Sequence, residues 1–429
     1  MRTQELNENT RKELLSKLLN RSPNAYTEYE EKVSEIIDRV RSEGDAALFD
    51  YTEKFDHYRL NAGNIRVTGE EIDEAVSGVD PELISVMEEA AGNIRAFHEK
   101  QLRLSWIDTK DDGSILGQRI LPIGSAGVYV PGGKAAYPSS VLMNIIPARV
   151  AGVEKIIMTT PPDAAGKVSP VTLAAAKIAG VDEIYRAGGA QAIAAMAFGT
   201  ESVPKVDKIT GPGNIFVALA KKACFGHVSI DSVAGPSEIL VIADETADPR
   251  YVAADLLSQA EHDEMASAIL ITTSKELAEK VSGEIEGFLE RLERRSIIEK
   301  SLENYGYIFI AKNMDEAVLA ANEIASEHLE ILTADPFSVM TKIRNAGAIF
   351  LGPYSSEPLG DYFAGPNHIL PTNQTARFFS PLSVDDFMKK SSIICYSKDA
   401  LSSVHEKIET FAKAEGLTAH ANSIAVRFS

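Results

Sequence analysis

The chain has 429 residues, of which 45% are hydrophobic and 24% charged, and its 62 acidic and 43 basic residues give a formal net charge of −19. This composition is typical of a globular protein of about two to four domains, and the acidic excess argues against a nucleic-acid or anionic-membrane partner. Two cysteines, a polar N-terminus and the absence of any apolar run of about 18 residues predict a cytoplasmic protein without disulfide framework, signal peptide or membrane span.

The first hundred residues are predicted to be mainly helical. Residues 28–49 combine charges with apolar side chains at helical spacing, and Asp80-Pro81 opens a further helix. From Gly117 onward, short apolar runs alternate with alanine-rich segments and turns. The predicted strands are Ile156–Thr159, Glu183–Arg186, Lys208–Thr210, Ile239–Ala243, Ala268–Thr272, Tyr307–Ile310, Glu330–Thr333 and Ala348–Leu351. The predicted helices between them are Ala174–Ala179, Ala190–Phe198, Ile215–Cys224 and Pro249–Met265.

This strand–helix alternation indicates parallel βαβ units covered by helices. The fold class predicted from the sequence is therefore α/β, with two α/β domains. The residues from Asp386 onward form a separate segment with a predicted helix near 402–415.

A carboxylate and an imidazole are adjacent at Glu327 and His328. The apolar residues between Val318 and Ala325 follow helical spacing, which places the pair at the end of an amphipathic helix with His328 on its buried face. Such a pair suits general acid–base chemistry. The simpler alternative is a core histidine beside a solvated glutamate.

Three glycine-rich segments stand at predicted junctions of strands and helices, although the chain has no Gly-x-Gly-x-x-Gly motif. They are Gly127–Gly133, Gly188–Gln191 and Gly211–Asn214. Glycine permits close approach of a ligand to the backbone, and free N–H groups at a helix N-terminus attract phosphate. Three tight turns without a ligand are the alternative.

Oxygen and imidazole groups occur together at three places. Gln259 and His262 share a helical face, Asp361 and His368 share a Gly/Pro loop, and Glu415 precedes His420 by five residues. These donors suit zinc with an open position for substrate, whereas the absence of cysteine argues against a closed structural site. Ordinary surface histidines and loop acids are the alternative.

Two further residues carry potentially reactive or polar groups. Ser237, just before the strand that begins at Ile239, can hydrogen-bond a polar ligand but lacks the Gly-x-Ser-x-Gly context of a nucleophile. Cys224 is interpreted as a small buried apolar residue rather than a reactive thiol.

The ordered set of motifs resembles the histidinol dehydrogenase family over nearly the whole chain. In order, the segments that carry the resemblance are residues 127–133, 188–194, 211–214, 234–238, 259–262, 326–329, 360–362 and 365–372. By this resemblance the fold is a pair of incomplete Rossmann-like parallel-sheet domains with a small helical N-terminal part and a C-terminal arm. The implied domains are an N-terminal segment at 1–26, a discontinuous α/β domain at 27–128 and 239–381, a second at 129–238, and the arm at 382–429.

The resemblance also implies an activity. The family oxidises L-histidinol to L-histidine through the aldehyde, the last step of histidine biosynthesis, with two NAD⁺, one water and one zinc ion per active site. It works as a homodimer in which the C-terminal arm reaches into the neighbouring subunit.

The residues of the family's site are matched by twelve positions of this chain. By resemblance, the catalytic pair is Glu327 and His328. The zinc ligands, which also face the substrate, are Gln259, His262, Asp361 and His420. The other substrate contacts are Ser237, His368 and Glu415, with His328 itself, and the NAD contacts are Tyr129, Gln191 and Asn214.

Three other functions remain open from the residues alone. A zinc hydrolase would use the same metal ligands with Glu327 as base and would need no NAD. An enzyme similar to aldehyde dehydrogenases would form a thiohemiacetal at Cys224. A non-catalytic binding protein would explain the α/β pattern but not the convergence of acid, imidazole and oxygen ligands.

Overall fold

A computed structural model describes residues 1–19, 21, 27–132 and 137–429. Gly133, the last residue of the first glycine-rich segment, and residues 20 and 22–26 of the predicted N-terminal segment lie outside the described residues. The helices are α1 (Glu8–Leu19), α2 (Thr27–Glu43), α3 (Asp45–Asp56), α4 (Gly69–Ser77), α5 (Pro81–Glu99), α6 (Pro138–Ala151), α7 (Pro170–Ala179), α8 (Gly189–Phe198), α9 (Ile215–Cys224), α10 (Pro249–Ala260), α11 (Lys275–Leu289), α12 (Arg295–Tyr305), α13 (Met314–Ile324), α14 (Pro336–Met340), α15 (Glu357–Tyr362), α16 (Lys398–Ser402), α17 (His405–Ala414) and α18 (Thr418–Ala425).

The strands form three sheets. They are β1 (Arg2–Glu5), β2 (Trp106–Thr109), β3 (Ile115–Pro122), β4 (Ser125–Tyr129), β5 (Lys155–Thr160), β6 (Glu183–Arg186), β7 (Lys208–Thr210), β8 (Ser229–Ile230), β9 (Glu238–Ala243), β10 (Ser267–Thr272), β11 (Gly306–Ile310), β12 (His328–Leu332), β13 (Ala348–Leu351) and β14 (Met388–Cys395). No described helix combines the length and the apolar composition that crossing a membrane requires.

The chain divides into two compact units. The first comprises Met1–Gln101 and Ile123–Phe387, and the second comprises Leu102–Pro122 and Met388–Ser429. The first unit contains two parallel sheets. The second contains an antiparallel sheet of order β14-β3-β2 and the last three helices. The predicted domain boundaries near residues 128, 238 and 381 stay predictions.

A six-stranded parallel sheet has the order β1-β11-β10-β9-β12-β13. The central strand β9 is buried along its whole length, and its side chains alternate between two apolar cores. Ile239 and Val241 pack in the core that α10, α11 and α12 help to form, whereas Leu240 and Ile242 pack in the core with α1 and α13. A strand covered by helices on both faces needs an uninterrupted apolar run, as Ile239–Ala243 provides.

A five-stranded parallel sheet has the order β6-β5-β4-β7-β8. Its core includes alanine-rich α8 together with residues of α2, α3 and α9. From β4 the chain proceeds to β5 and β6 on one side and then returns to β7 and β8 on the other. The six-stranded sheet repeats this order around β9, so both sheets are Rossmann-like and each has a switch point beside its central strand. The predicted α/β class with two incomplete Rossmann-like sheets is confirmed.

The predicted helical position of the Glu327–His328 pair is wrong. Helix α13 ends at Ile324, and Ala325 adopts a left-handed conformation with φ 49°. The chain then enters β12, of which His328 is the first residue, paired with Ile239 of β9. The alanine-rich stripe extended the apparent helix, because a short β-strand entering a buried sheet has no alternating pattern that would mark its start.

Candidate active site

A single cleft in the first unit collects most of the predicted site residues. Its volume is about 1620 Å³. Ten of the twelve predicted positions line it: Tyr129, Gln191, Asn214, Ser237, Gln259, His262, Glu327, His328, Asp361 and His368. The other two, Glu415 and His420, are exposed residues of the second unit, at the end of α17 and in α18.

The two parallel sheets face this cleft with opposite ends of their strands, which are called here the opposite edges of the sheets. The six-stranded sheet contributes the starts of its strands, since Glu238 and His328 are the first residues of β9 and β12. The five-stranded sheet contributes the ends of its strands, including Tyr129 of β4 and Gly211 directly after β7. The carboxyl ends beside a switch point are where open α/β sheets bind nucleotides.

Backbone groups of Glu238 hold both members of the acid–base pair. The Glu238 N–H donates to Oε2 of Glu327 over 2.9 Å, and Nδ1 of His328 lies 3.1 Å from the Glu238 carbonyl oxygen. Because a carbonyl oxygen only accepts, Nδ1 carries a proton. A neutral His328 therefore presents the lone pair of Nε2, which has no hydrogen-bond partner within the described ranges and lies 3.5 Å from Oδ1 of Asp361.

The side chain of Glu238 is fixed as well. Its Oε1 forms a buried ion pair of 2.5 Å with Arg21, whose guanidinium also donates to the carbonyl of Met265. Glu238 thus links Arg21 to the backbone that contacts the predicted catalytic pair. The sequence does not reveal this role, because Arg21 and the acid–base pair are far from Glu238 along the chain.

The pKa values of the acid–base pair are both raised. Burial raises the pKa of Glu327 to about 8, although the neighbouring His328 counteracts part of the effect. Burial lowers the pKa of His328, but the nearby carboxylates Glu327 and Asp361 outweigh it and raise the pKa to about 10. Nδ1 of His328 and Oε2 of Glu327 lie 3.6 Å apart, so the two groups titrate as a pair, and both lose their protons only above neutral pH.

Donor groups that suit a metal converge beside this pair. The amide oxygen Oε1 of Gln259 is buried and has no hydrogen-bond partner among the described residues, as expected of an atom that awaits a ligand. Burial lowers the pKa of His262, which faces the cleft, and this favours the neutral imidazole that binds metals. Together with the carboxylate of Asp361, these groups form an oxygen and nitrogen donor set that fits zinc.

Glu357 is a further candidate ligand that sequence reasoning missed. Single donor atoms of His328, Glu357 and Asp361 all lie within 4.8 Å of one another. Glu357 and Asp361 are four residues apart on α15, so their i, i+4 spacing could have revealed the shared face. His368 completes this side of the cleft, with its Nδ1 3.0 Å from the backbone carbonyl of Asp361.

A buried group of acids supports the helix that carries Asp361. Glu330 of β12 is fully buried and accepts a hydrogen bond from the Glu357 N–H over 2.9 Å. The Ser258 hydroxyl, on α10 next to Gln259, donates to Glu357 over 2.8 Å. Burial raises the pKa values of Glu330 and Glu357, the latter to about 7. These contacts connect the helices of Gln259 and Asp361.

The predicted NAD residues lie on the side of the cleft that the five-stranded sheet forms. Tyr129 ends β4, and its hydroxyl accepts the N–H of Gly189 at the start of α8 over 3.1 Å. Gln191 is buried in the first turn of that helix. Asn214 caps α9, because its Oδ1 accepts the N–H groups of Phe216 and Val217. The predicted NAD residues therefore lie at two helix N-termini and one strand end.

Cys224 is unsuited to nucleophilic catalysis. It is buried at the end of α9, does not line the cleft, and burial raises the pKa of its thiol to about 12. A thiolate is therefore disfavoured near neutral pH. This finding removes the support for an enzyme that would form a thiohemiacetal at this position.

The Rossmann-like sheets and the buried acid–base pair beside a nucleotide-type edge define an α/β enzyme of the dehydrogenase class. A family model described as histidinol dehydrogenase matches residues 19–428. The chain is 57% identical over 396 residues to the histidinol dehydrogenase of Heliobacterium mobile, which covers 92% of this chain and 93% of that protein. It is 58% identical over 415 residues to that of Caldanaerobacter subterraneus subsp. tengcongensis, covering 97% and 96% of the two chains.

A solved structure agrees with these relatives. The crystal structure of histidinol dehydrogenase from Elizabethkingia anophelis superimposes with a TM-score of 0.94 at 39% identity and covers 100% of this chain and 98% of that chain. The chain belongs to the histidinol dehydrogenase family and is an oxidoreductase. The family resemblance read from the sequence motifs is therefore confirmed.

Proposed function

We propose that the protein catalyses the NAD-dependent, four-electron oxidation of L-histidinol to L-histidine, the last step of histidine biosynthesis. Two NAD⁺ and one water are consumed, and two NADH and three protons are released with the product. Family membership supports this activity. The observation that carries the proposal is the position of His328, whose Nε2 lies 3.5 Å from Oδ1 of Asp361 in a cleft that the carboxyl ends of β4 and β7 also line.

One zinc ion per site fits the donor groups on the catalytic side. Gln259, His262 and Asp361 of one chain would hold it together with His420 of a second copy. Zinc bound there would anchor the nitrogen atoms of histidinol and so orient its carbinol carbon. Ser237 and His368 of the same cleft, with Glu415 of the second copy, would bind the polar groups of the substrate.

His328 is assigned the alcohol proton. Its Nε2 would accept the hydroxyl proton of the alcohol, and NAD⁺, when bound, would supply the hydride acceptor. An imidazole with a raised pKa is a better base for an alcohol than a carboxylate is. The Glu238 carbonyl holds Nδ1 and thereby keeps Nε2 directed into the cleft.

Glu327 is assigned the water that adds to the aldehyde. It would take a proton from that water as the water adds to the aldehyde carbon, and a second NAD⁺, when bound, would supply the acceptor for the hydride of the hydrate. Its pKa of about 8 places the change to the basic carboxylate just above neutrality. The hydrogen bond from the Glu238 N–H to Oε2 fixes the orientation of the carboxylate during both half-reactions.

NAD⁺ is assigned to the edge of the five-stranded sheet, with contacts from Tyr129, Gln191 and Asn214. The side chains of Tyr129 and Asn214 already satisfy backbone N–H groups through their oxygens. The Asn214 amide N–H₂ group remains suited to donate to a nucleotide. The N-termini of α8 and α9 supply further donors for the pyrophosphate.

A homodimer in the cytoplasm is the assembly we propose. Large apolar side chains are exposed on the second unit, among them Leu104 at 86%, Ile394 at 73% and Phe411 at 70% exposure. The apolar surface of this unit supports burial against a second copy. A second copy that covers it would also bring Glu415 and His420 to the neighbouring cleft.

The test follows NADH absorbance with purified protein, L-histidinol and NAD⁺, before and after treatment with a zinc chelator. Two NADH per histidinol, lost on chelation and restored by zinc, are expected. One NADH would mean that the reaction stops at the aldehyde and that Glu327 has another role. No NADH would contradict the proposal and favour a zinc hydrolase, which an amide and ester panel would detect.

A further inference from the structure

A buried lysine–aspartate pair contacts the loop that leads into α9. Lys221 is in the second half of α9, and Asp231 directly follows β8. The Lys221 ammonium forms an ion pair with Oδ1 of Asp231, and the two side chains are only 2% and 4% exposed. Burying two charges is costly, so such a pair is retained only where its contacts serve the structure around it.

Both members of this pair bind the same residue, Gly211. Nζ of Lys221 donates to the Gly211 carbonyl over 2.9 Å, and the Gly211 N–H donates to Oδ2 of Asp231 over 2.9 Å. The two backbone polar groups of Gly211 are thus held by the two ends of one ion pair. Charge-assisted hydrogen bonds are roughly twice as strong as neutral ones, so the peptide groups on both sides of Gly211 are firmly fixed.

Gly211 occupies a position that no other residue can take without strain. Its φ is 122°, in the region that L side chains rarely adopt. A Cβ at this position would overlap the backbone carbonyl of Tyr129. The peptide therefore packs directly on the end of β4, at the switch point of the five-stranded sheet.

The fixed peptide determines where the rest of the loop lies. Pro212, Gly213 and Asn214 follow it, line the cleft, and lead into α9 through the Asn214 cap. Because Lys221 belongs to α9, its hydrogen bond to Gly211 connects the helix to the start of the loop that precedes it.

The charges of the pair argue against a direct contact of Lys221 with phosphate. Although Lys221 and Asp231 line the cleft, the ammonium is already bound to a carboxylate and a carbonyl. Its charge is therefore neutralised, and its donors point to the protein. The backbone that the pair holds, rather than the lysine, is therefore the group available to a nucleotide.

We propose that Lys221 and Asp231 are positioning residues that hold Gly211–Asn214 in the shape that receives the dinucleotide. This inference rests on the proposed NAD-dependent function. It assigns to the pair an effect on the affinity for NAD⁺ and no part in the chemistry at His328 and Glu327.

The test compares Lys221→Met with a matched control, Lys208→Met, in the zinc-loaded full-length protein. Lys208 belongs to β7, three residues before Gly211, and its buried side chain pairs with Asp386 over 3.4 Å without lining the cleft. The Kd for NAD⁺, the KM for NAD⁺, kcat, zinc content and Tm are measured for each variant.

Lys221→Met is expected to weaken NAD⁺ binding about tenfold, the loss of about one charge-assisted hydrogen bond. The KM for NAD⁺ should rise by the same factor while kcat at saturating NAD⁺ and zinc content stay within about twofold of wild type. Lys208→Met should retain the wild-type Kd. If Lys221→Met does not fold, the double variant Lys221→Met/Asp231→Asn, which leaves no unpaired buried charge, is measured in its place.

The possible results separate the two proposals. A wild-type protein that binds no NAD⁺ overturns the proposed function and this inference with it. A wild-type protein that binds NAD⁺, with an unchanged Kd in the folded Lys221 or double variant, overturns this inference alone. An equal loss of affinity in Lys208→Met would show a general stability effect and would also overturn it.

Discussion

The two parallel sheets have the same strand order around their central strands but offer opposite edges to the cleft. The five-stranded sheet uses the ends of β4 and β7, where glycine loops and helix N-termini expose backbone donors. The six-stranded sheet uses the starts of β9 and β12, where Glu327 and His328 are buried beside each other. One Rossmann-like arrangement can therefore serve binding at one edge and proton transfer at the other.

This difference separates the expected effects of substitution. At the six-stranded sheet the proposed functional atoms are side-chain groups with strongly shifted pKa values, so substitution should change the rate. At the five-stranded sheet they are mainly backbone groups held by side chains, so substitution should change affinity.

Replacement of His328 should have the largest effect. His328→Ala removes the base at Nε2 and should lower kcat by about 10²–10⁴. Zinc content should stay normal, because His328 is not among the proposed zinc ligands. Zinc is measured by atomic absorption on the same preparation, and loss of the metal in this variant would refute the role assigned to His328.

Glu327→Gln should change both the rate and its pH dependence. The substitution removes the negative charge that helps to raise the pKa of His328. The neutral form of His328 should then appear at lower pH, so the ascending limb of the pH–rate profile should shift to lower pH. We expect a rate loss of about 10² or more. A limb that stays at its wild-type pH would show that Glu327 does not interact with the titrating base.

Asn214→Ala should weaken binding of NAD⁺ and shorten the ordered part of α9. Loss of the cap should cost about 1 kcal/mol of unfolding free energy, and loss of the amide donor should raise the KM for NAD⁺ up to about tenfold. Asn214→Ser is the matched control, because serine retains the cap but not the amide. An equal KM in serine and wild type would assign Asn214 a structural role only.

Glu330→Gln should have the smallest effect on activity and a measurable effect on stability. Burial raises the folded-state pKa of Glu330, so its carboxyl contributes stability below its unfolded pKa of about 4.5 and loses it as the pH rises toward the folded value. Glutamine cannot ionise, so the variant should be more stable than wild type at pH 8, by about 1 kcal/mol or more. The gain should be smaller at pH 5. Urea unfolding at both pH values measures it, and an equal gain would contradict the raised pKa.

The sequence predicted the sheets better than it predicted the site's local structure. The strands Glu183–Arg186, Lys208–Thr210 and Ala348–Leu351 have their predicted bounds, because each is a short run of strand-forming residues between turns. The antiparallel sheet of the second unit was missed. Its strand β2 is exposed along its whole length, so no burial pattern marks it.

Motifs in the sequence identified the candidate residues, but the contacts around those residues could not be predicted from the sequence. The sequence places Glu327 next to His328, but only the fold shows that the backbone of Glu238, 89 and 90 residues away, binds them both. The pairing of Lys221 with Asp231 is likewise invisible in sequence, since it depends on the register of β7 and β8. Long-range contacts of this kind need the packed sheet.

The division between the two edges can be tested directly by measuring the Kd for NAD⁺ in the zinc-loaded His328→Ala variant. If proton transfer belongs to the six-stranded sheet and nucleotide binding to the five-stranded sheet, the Kd should stay within about twofold of wild type while turnover is lost. A large loss of NAD⁺ affinity in this variant would contradict the account, because it would place His328 in the nucleotide site.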